Sequence, residues 1–189
     1  MTTDPIRDKR QLKALAEYWL KRRNFRNFVL IVLGFYTALR IGDLLRLRWV
    51  DVYDFEARAF RTHLIITEQK TGKQRKIALN SKAISALRLC FEKSRRGAFI
   101  FANNRRDAGP ISRVQAWRII KEAARAVKIV GRIACHSLRK SFGFFAWKAG
   151  VLPIMLMDIF NHSSFEATKR YLGITQAERD KVYLMLKAF

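Results

Sequence analysis

The sequence predicts a mainly α-helical fold with one small three-stranded antiparallel β-sheet inserted in its first half. Apolar residues recur at helical spacing over most of the chain, which indicates amphipathic helices. Between residues 49 and 79 the pattern changes to β-branched and aromatic residues around a glycine turn, which is typical of paired strands. Of the 189 residues 50% are hydrophobic, so the chain can build the core of one compact domain.

The first two helices are predicted at residues 8–23 and 26–39. The second contains "RNFVLIVLGFYTAL", which is apolar nearly all round, and this pattern predicts a buried central helix. The segment "GDLLRL" at residues 42–47 predicts a short third helix.

Three strands are predicted to follow. "WVDVYDF" and "RTHLIITEQ" supply the first two, and "KTGKQRKIAL" returns as the third after a turn at Gly72. His63 lies within the second strand and matches no motif, so we interpret it as a sheet residue and not as a ligand.

The second half of the chain again has the pattern of helices. One helix starts at Ser81, and after the loop "RRGAFIFANNRRDAGP" Ser112 can cap another, in which Trp117 is predicted to face the core. Further helices are predicted at four places: residues 136–149, 153–160, 164–172 and 176–187. Because no internal repeat or low-complexity segment interrupts this pattern, we expect one integrated domain.

The charge balance favours a polyanionic partner. The chain has 38 Lys and Arg but 15 Asp and Glu, a formal net charge of +23. A nucleic acid rewards many basic contacts through counterion release, and a membrane surface is the alternative. No apolar stretch is long enough to span a bilayer, and "MTTDPIRDKRQLK" lacks the apolar region of a signal peptide, so we expect a cytoplasmic protein.

The two cysteines, Cys90 and Cys135, are interpreted as small core residues. They form neither a disulfide framework nor a CxxC metal knuckle. A zinc site built from Cys135, His136 and His162 is an alternative, but its spacing fits no common zinc motif.

Cations from separate segments could bind one phosphate. His136 and Arg139 are three residues apart, so they share one helix face at the first turn, where the helix dipole also favours an anion. Arginine offers a planar fork of donors that matches phosphate oxygens, so Arg40 and Arg139 could clamp the same group.

Tyr171 is the candidate nucleophile. It follows His162 by nine positions, directly after Lys169 and Arg170, and nearby cations favour the phenolate over a phenol with a pKa of about 10. Attack on a phosphodiester would store the bond energy in a phosphotyrosine without a metal or other cofactor. The structural alternative is a tyrosine on an amphipathic helix with its ring in the core.

Taken together, these motifs resemble those of the tyrosine recombinases, or phage-type integrases. The resemblance runs from about Arg26 to Gly173. "ALRIGDLLRLRW" resembles the first-arginine motif of the family, "HSLRKSF" its His-x-x-Arg motif, and "NHSSFEATKRY" the motif that ends in the nucleophile. Six residues match the catalytic positions of the family: Arg40, Lys70, His136, Arg139, His162 and Tyr171. Asp43 matches the acidic residue that supports the site.

The resemblance implies strand breakage without a cofactor in a recombinase-type catalytic domain. Tyr171 would form a 3′-phosphotyrosyl link and release a 5′-hydroxyl, with Lys70 as the general acid for the leaving oxygen. His136 would assist proton transfer or hold a phosphate oxygen. Charge in the transition state would be stabilised by Arg40, Arg139 and His162.

The resemblance has two departures and one missing part. Phe160-Asn161 replaces the usual Leu-Gly, and "YLGI" replaces Tyr-x-His. Residues 1–175 are expected to be the catalytic domain and 176–189 a C-terminal helix that could be exchanged between protomers, with no N-terminal core-binding domain. The resemblance implies double-stranded DNA and a homo-multimer as partners, with a tetramer on paired sites. A bacterial or phage-borne origin is expected, and either the chain is a naturally minimal recombinase or an accessory protein supplies the missing domain.

Further basic residues are expected to contact DNA phosphates, although a solvated surface would have the same pattern. They are Lys73, Arg75, Arg95, Arg96, Arg105, Arg106, Lys140, Lys169 and Arg170. Lys73 and Lys76 lie in the same hairpin as Lys70 and are its alternatives as the general acid.

Three other functions stay open from the sequence. A type IB topoisomerase would use the same residue types but act as a monomer on one DNA site. A DNA-binding regulator could have the basic fold without turnover, although it would not need the nucleophile. A ribosomal or other RNA-binding protein is supported by charge alone.

Overall fold

The computed structural model describes residues 3–94, 97–103, 109–172, 174 and 176–185. It divides into two compact units, Met1–Phe142 and Gly143–Phe189. The helices of the first unit are α1 (Lys9–Lys21), α2 (Phe25–Tyr36), α3 (Ile41–Leu45), α4 (Trp49–Val52), α5 (Ser81–Ser94), α6 (Arg113–Ala126) and the start of α7 (Cys135–Lys148). Those of the second unit are α8 (Pro153–Ile159), α9 (Phe165–Leu172) and α10 (Gln176–Met185). The predicted mainly helical fold class is confirmed.

Helix α2 is the centre of the first unit, as its apolar sequence predicts. Its N-cap is Asn24, whose side chain accepts a hydrogen bond from the backbone N–H of Asn27. Its buried residues include Val29, Leu30, Ile31, Leu33 and Gly34, and it packs against α1 and α5. A helix buried on several sides has to be apolar around most of its circumference.

Four short strands form two separate antiparallel hairpins, not one three-stranded sheet. The strands are β1 (Tyr53–Asp54), β2 (Ala59–Phe60), β3 (His63–Thr67) and β4 (Gln74–Ala78). β1 pairs with β2, and β3 pairs with β4 from His63↔Ala78 to Thr67↔Gln74. The first predicted strand is short because the Asp51 carboxylate accepts from Arg48 N at 2.7 Å and starts a helical turn, which leaves only Tyr53–Asp54 extended.

Helix α6 begins where the sequence predicts, but its buried face differs. Ser112 Oγ accepts from Gln115 N at 3.2 Å, and Gln115 Oε1 accepts from Ser112 N at 2.8 Å, which is a capping box. The prediction that Trp117 faces the core is wrong: 40% of Trp117 is exposed, and the Lys121 ammonium lies 4.5 Å from its ring centroid. The small Ala116 lets the helix approach the core on the neighbouring face.

In the second unit, the buried side chains include Leu156, Phe160, Thr168 and Leu172. Pro153 occupies the first turn of α8, where its missing N–H has no helical partner to lose. None of the helices within the described part of the chain combines the length and the apolar character needed to cross a membrane.

Candidate active site

Arg40 is placed by the end of α2 and the start of α3. It is the N-cap residue of α3, and its Nη1 donates to Glu68 Oε2 at 2.6 Å. Glu68 is fully buried, and its other oxygen accepts from Arg75 Nη1 at 3.0 Å. The guanidinium of Arg40 is therefore hydrogen-bonded to the residue that directly follows strand β3.

Lys70 lies in the turn that connects β3 and β4, where it is exposed. Two contacts position this turn. Asp43 Oδ1 in α3 accepts from the backbone N–H of Gln69 at 3.0 Å, and the backbone N–H of Gly72 donates to Glu68 O at 2.9 Å. Gly72 has φ of +66°, a left-handed conformation that glycine adopts without strain. Asp43 thus supports the turn that carries Lys70.

Four basic side chains of the first unit line a cavity of about 520 Å³. Its lining includes Arg40, Asp43, Gln69, Lys70, Arg113 and His136. A concave site with several cations and hydrogen-bond donors favours an anion such as a phosphate. The structure therefore brings three of the sequence-predicted catalytic residues to one place.

Arg139 lies on the same helix as His136 but is buried, with 1% exposed. Its Nη1 donates to the backbone carbonyl of Ala38, which adopts a φ of +51° two residues before Arg40. A non-glycine residue rarely adopts this conformation, so the contact helps to hold a strained loop. In this structure Arg139 stabilises the backbone that presents Arg40.

His162 and Tyr171 form an aromatic cluster in the second unit. Their ring centroids are 4.7 Å apart at an interplanar angle of 75°, and the Phe160 ring is 5.0 Å from that of Tyr171. His162 Nδ1 lies 3.0 Å from the hydroxyl oxygen of the buried Thr168. These contacts fix the histidine ring beside the phenol and leave Tyr171 half-buried.

The structure describes some of the expected DNA-contact residues. Lys73 is exposed, and Lys169 is half-buried with its ammonium 3.4 Å from Glu166 Oε1. Lys140 is buried and its Nζ donates to Thr3 O at 2.6 Å, so contact with DNA would require release of that bond. Arg95, Arg96, Arg105 and Arg106 lie outside the described residues, as does the side chain of Arg170. The DNA-contact assignments stay predictions.

Sequence reasoning missed three residues: Glu68, Arg113 and Thr168. A signal existed for Glu68, because strand alternation places it on the same face as Leu64 and Ile66, where a carboxylate needs partners. No comparable signal existed for Arg113. It reaches the cavity because Gly42 has no side chain: a Cβ there would lie 2.6 Å from Arg113 Nη2.

Cys135 is poorly suited to bind a metal. Burial raises the pKa of its thiol to about 11, which disfavours the thiolate that zinc requires. Within the described ranges, no group of three or more His, Cys, Asp or Glu side chains is placed to hold a metal ion.

Solved structures of a recombinase and an integrase share this fold. The crystal structure of XerA recombinase aligns with 100% of this chain, and the aligned part is 67% of the XerA chain; the TM-score is 0.76 and the sequence identity 19%. A lambda integrase dimer bound to a COC′ core site matches 91% of this chain and 49% of that chain, with a TM-score of 0.69 and 19% identity. These likenesses define the fold class.

Sequence comparison defines the family. The Phage integrase family matches residues 7–178. The probable integrase/recombinase YoeC of Bacillus subtilis is 35% identical over 172 residues, which are 91% of this chain and 90% of that protein. The tyrosine recombinase XerD of Mycobacterium leprae is 30% identical over 167 residues, 82% of this chain, and the matched part covers 50% of that protein. The chain belongs to the phage integrase family and is a tyrosine-type site-specific DNA recombinase.

Proposed function

We propose that this chain breaks and rejoins DNA strands through a covalent link between Tyr171 and a 3′-phosphate. The observation that carries the proposal is the cavity at which Arg40, Lys70 and His136 meet, together with Arg113. Cations that converge on one concave site can bind a scissile phosphate and stabilise the charge that develops on it. The His162–Tyr171 pair of the second unit adds a phenol held beside an imidazole.

The proposed step is an exchange of one phosphate ester for another. The Tyr171 oxygen forms a bond to phosphorus while the bond from phosphorus to the 5′-oxygen breaks. The phenol proton passes to His136, and the Lys70 ammonium gives a proton to the leaving 5′-oxygen. Charge on the pentavalent phosphorus is balanced by Arg40, Arg139 and His162. Attack by the 5′-hydroxyl of another strand reverses the step, and no cofactor is consumed.

The proposal includes assembly of several copies on double-stranded DNA, as a tetramer on paired sites. Exposed apolar side chains of the second unit support a protein contact, because large apolar groups at a surface often mark such contacts. They are Leu152, Ile154, Met155, Phe165, Tyr183, Leu184 and Met185. An exchanged C-terminal helix and an accessory protein belong to the same proposal, and a truncation after Thr175 that still assembles on DNA would count against the exchanged helix.

We also propose that the protein works in the bacterial cytoplasm. The support is that YoeC and XerD, which it resembles, are bacterial recombinases. DNA to recombine is found in that compartment.

The decisive experiment traps the covalent link. The chain is incubated with duplexes randomised on both sides of a nick, so that the short strand released with a 5′-hydroxyl diffuses away and the adduct accumulates. Adducts are recovered under denaturing conditions, sequenced, and the enriched duplex is tested with Tyr171→Phe. We expect an adduct with the native chain and none with the variant.

Other outcomes separate the alternatives. An adduct that Tyr171→Phe leaves unchanged would disprove the assigned nucleophile. Relaxation of supercoiled DNA carrying a single copy of the enriched duplex, without exchange between two copies, would favour a topoisomerase. Binding without any adduct would favour a DNA-binding regulator.

A further inference from the structure

A buried glutamate lies beside Arg40, one of the residues that line the cationic cavity of the first unit. Glu68 is fully buried, and both of its carboxylate oxygens accept hydrogen bonds from arginine. Oε2 accepts from Arg40 Nη1 at 2.6 Å and from Thr71 Oγ1 at 2.9 Å, and Oε1 accepts from Arg75 Nη1 at 3.0 Å. The sequence motif that contains Lys70 assigns no role in the reaction to Glu68.

The charge of Glu68 has to be compensated. Moving an ionised carboxylate out of water is costly unless it is paired and hydrogen-bonded, and two guanidiniums and a hydroxyl satisfy that requirement here. The side chains of the two arginines are 21% and 14% exposed, so the pairs are only weakly screened by solvent. Such a cluster holds Arg40 in one orientation more firmly than a surface ion pair would.

Glu68 also belongs to the turn that carries Lys70. Its backbone N–H donates to Lys73 O at 3.0 Å, and its carbonyl accepts from Gly72 N at 2.9 Å, so Glu68 closes the turn at its base. Glu68 thus contacts Arg40 through its side chain and shapes the turn that carries Lys70 through its backbone.

We propose that Glu68 is a positioning residue for the strand-cleavage reaction. Its carboxylate occupies one Arg40 amine and fixes the plane of the guanidinium, so that other donors of the fork face the cavity where a phosphate binds. The inference rests on the proposed function, because it assigns Arg40 to the phosphate. Pre-orientation counts in catalysis because a donor that must rotate into place during the reaction stabilises the transition state less well.

The test compares Glu68→Gln, Glu68→Asp and a control, Glu56→Gln. Glu56 is an exposed glutamate in the β1–β2 hairpin, so its variant makes the same change of charge and shape away from the site. With the enriched nicked duplex, three quantities are measured for each: the single-turnover rate constant of adduct formation at saturating duplex, the dissociation constant of the duplex, and the urea midpoint of unfolding.

We expect Glu68→Gln to lower the rate constant by about tenfold to a hundredfold, the scale of a misplaced catalytic group, while the dissociation constant changes by less than about twofold. Glu68→Asp restores the charge and should recover part of the rate, and Glu56→Gln should match the native chain. If the glutamine variant fails to fold, the aspartate variant provides the same comparison of rate with affinity.

A double-mutant cycle with Arg40→Lys tests whether Glu68 acts through the arginine. The two substitutions should be non-additive, so Glu68→Gln should cost less than about twofold in the Arg40→Lys background. Full additivity would show that Glu68 does not act through Arg40, and a native rate constant in Glu68→Gln together with a lower urea midpoint would show that Glu68 only stabilises the fold. Failure of the proposed function would be distinct, since the native chain itself would then form no adduct.

Discussion

The hydrogen bond between His162 and Thr168 gives a direct way to test the aromatic cluster of the second unit. Thr168→Val replaces the hydroxyl with a methyl group of similar size in a fully buried position. The His162 ring should stay in place, because its backbone N–H donates to Met157 O at 3.0 Å and its ring lies 5.3 Å from that of Phe160. What changes is the partner of Nδ1, 3.0 Å away in the native chain.

The expected effect on the rate follows from the role of that bond. With the Thr168 hydroxyl as donor to Nδ1, the ring proton is on Nε2, which can then donate to a phosphate oxygen. Loss of a net hydrogen-bond energy of about 1 to 1.5 kcal/mol that favours this tautomer corresponds to a rate about five to thirteen times lower. The free energy of unfolding should fall by about 1 to 3 kcal/mol, since a buried polar group loses a partner.

Thr168→Ser is the matched control, because it keeps the hydroxyl and loses only a methyl group. The assay is single-turnover adduct formation on the nicked duplex, with the urea midpoint measured in parallel. We expect the serine variant to keep a rate of adduct formation within about threefold of the native rate, allowing for the lost methyl contact. The rate of the valine variant should be lower than that of the serine variant. Equal rates for valine and serine would refute the reasoning, whatever their stabilities.

Three further results are expected. Lys70→Met should slow cleavage by about a hundredfold or more on an ordinary duplex. The cleavage rate of this variant should recover on a duplex with a 5′-sulfur leaving group, because that group departs without a proton. The same pattern in Lys73→Met would identify Lys73 as the general acid instead. Gly34→Ala should lower the free energy of unfolding in urea by about 1 to 2 kcal/mol, since its Cβ would lie 2.7 Å from Leu138 Cδ1 and helix propensity offsets only part of the strain; no loss would contradict this packing. Burial raises the pKa of Cys135 to about 11, so less thiolate is present at pH 8, and iodoacetamide should alkylate it about tenfold or more slowly than a free thiol, as measured by peptide mapping.

The helices could be predicted from the sequence because their signals are local. Ser112 and Gln115 form a capping box within four residues, and the apolar run of α2 is continuous. The strands were less predictable because two local preferences compete at Trp49–Val52. The residue types favour a strand, but the Asp51 carboxylate caps a helical turn, and the turn is formed.

The residues of the candidate site could be singled out from motifs, but their contacts in the fold could not. Glu68 and Arg40 are 28 residues apart, and Arg139 and Ala38 are 101 apart, so neither contact leaves a periodic pattern in the sequence. Trp117 shows the same limit for packing. Its helical spacing fits a core position, yet the small residues beside it decide which face of α6 is buried.

These contacts suggest how a chain with a formal net charge of +23 can hold several cations in one place before DNA arrives. Like charges repel, so a cluster of free arginines and lysines would spread apart and would have to be gathered again by the phosphate. In the first unit the Glu68 carboxylate binds the guanidiniums of Arg40 and Arg75, and the Ala38 carbonyl binds that of Arg139; both acceptors are part of the folded backbone and core. The repulsion between these cations is therefore already overcome when the protein folds, before DNA binds. Exposed basic residues such as Lys73 can meanwhile respond to the salt-dependent attraction of the DNA backbone. Affinity and strand cleavage would then depend on different sets of cations.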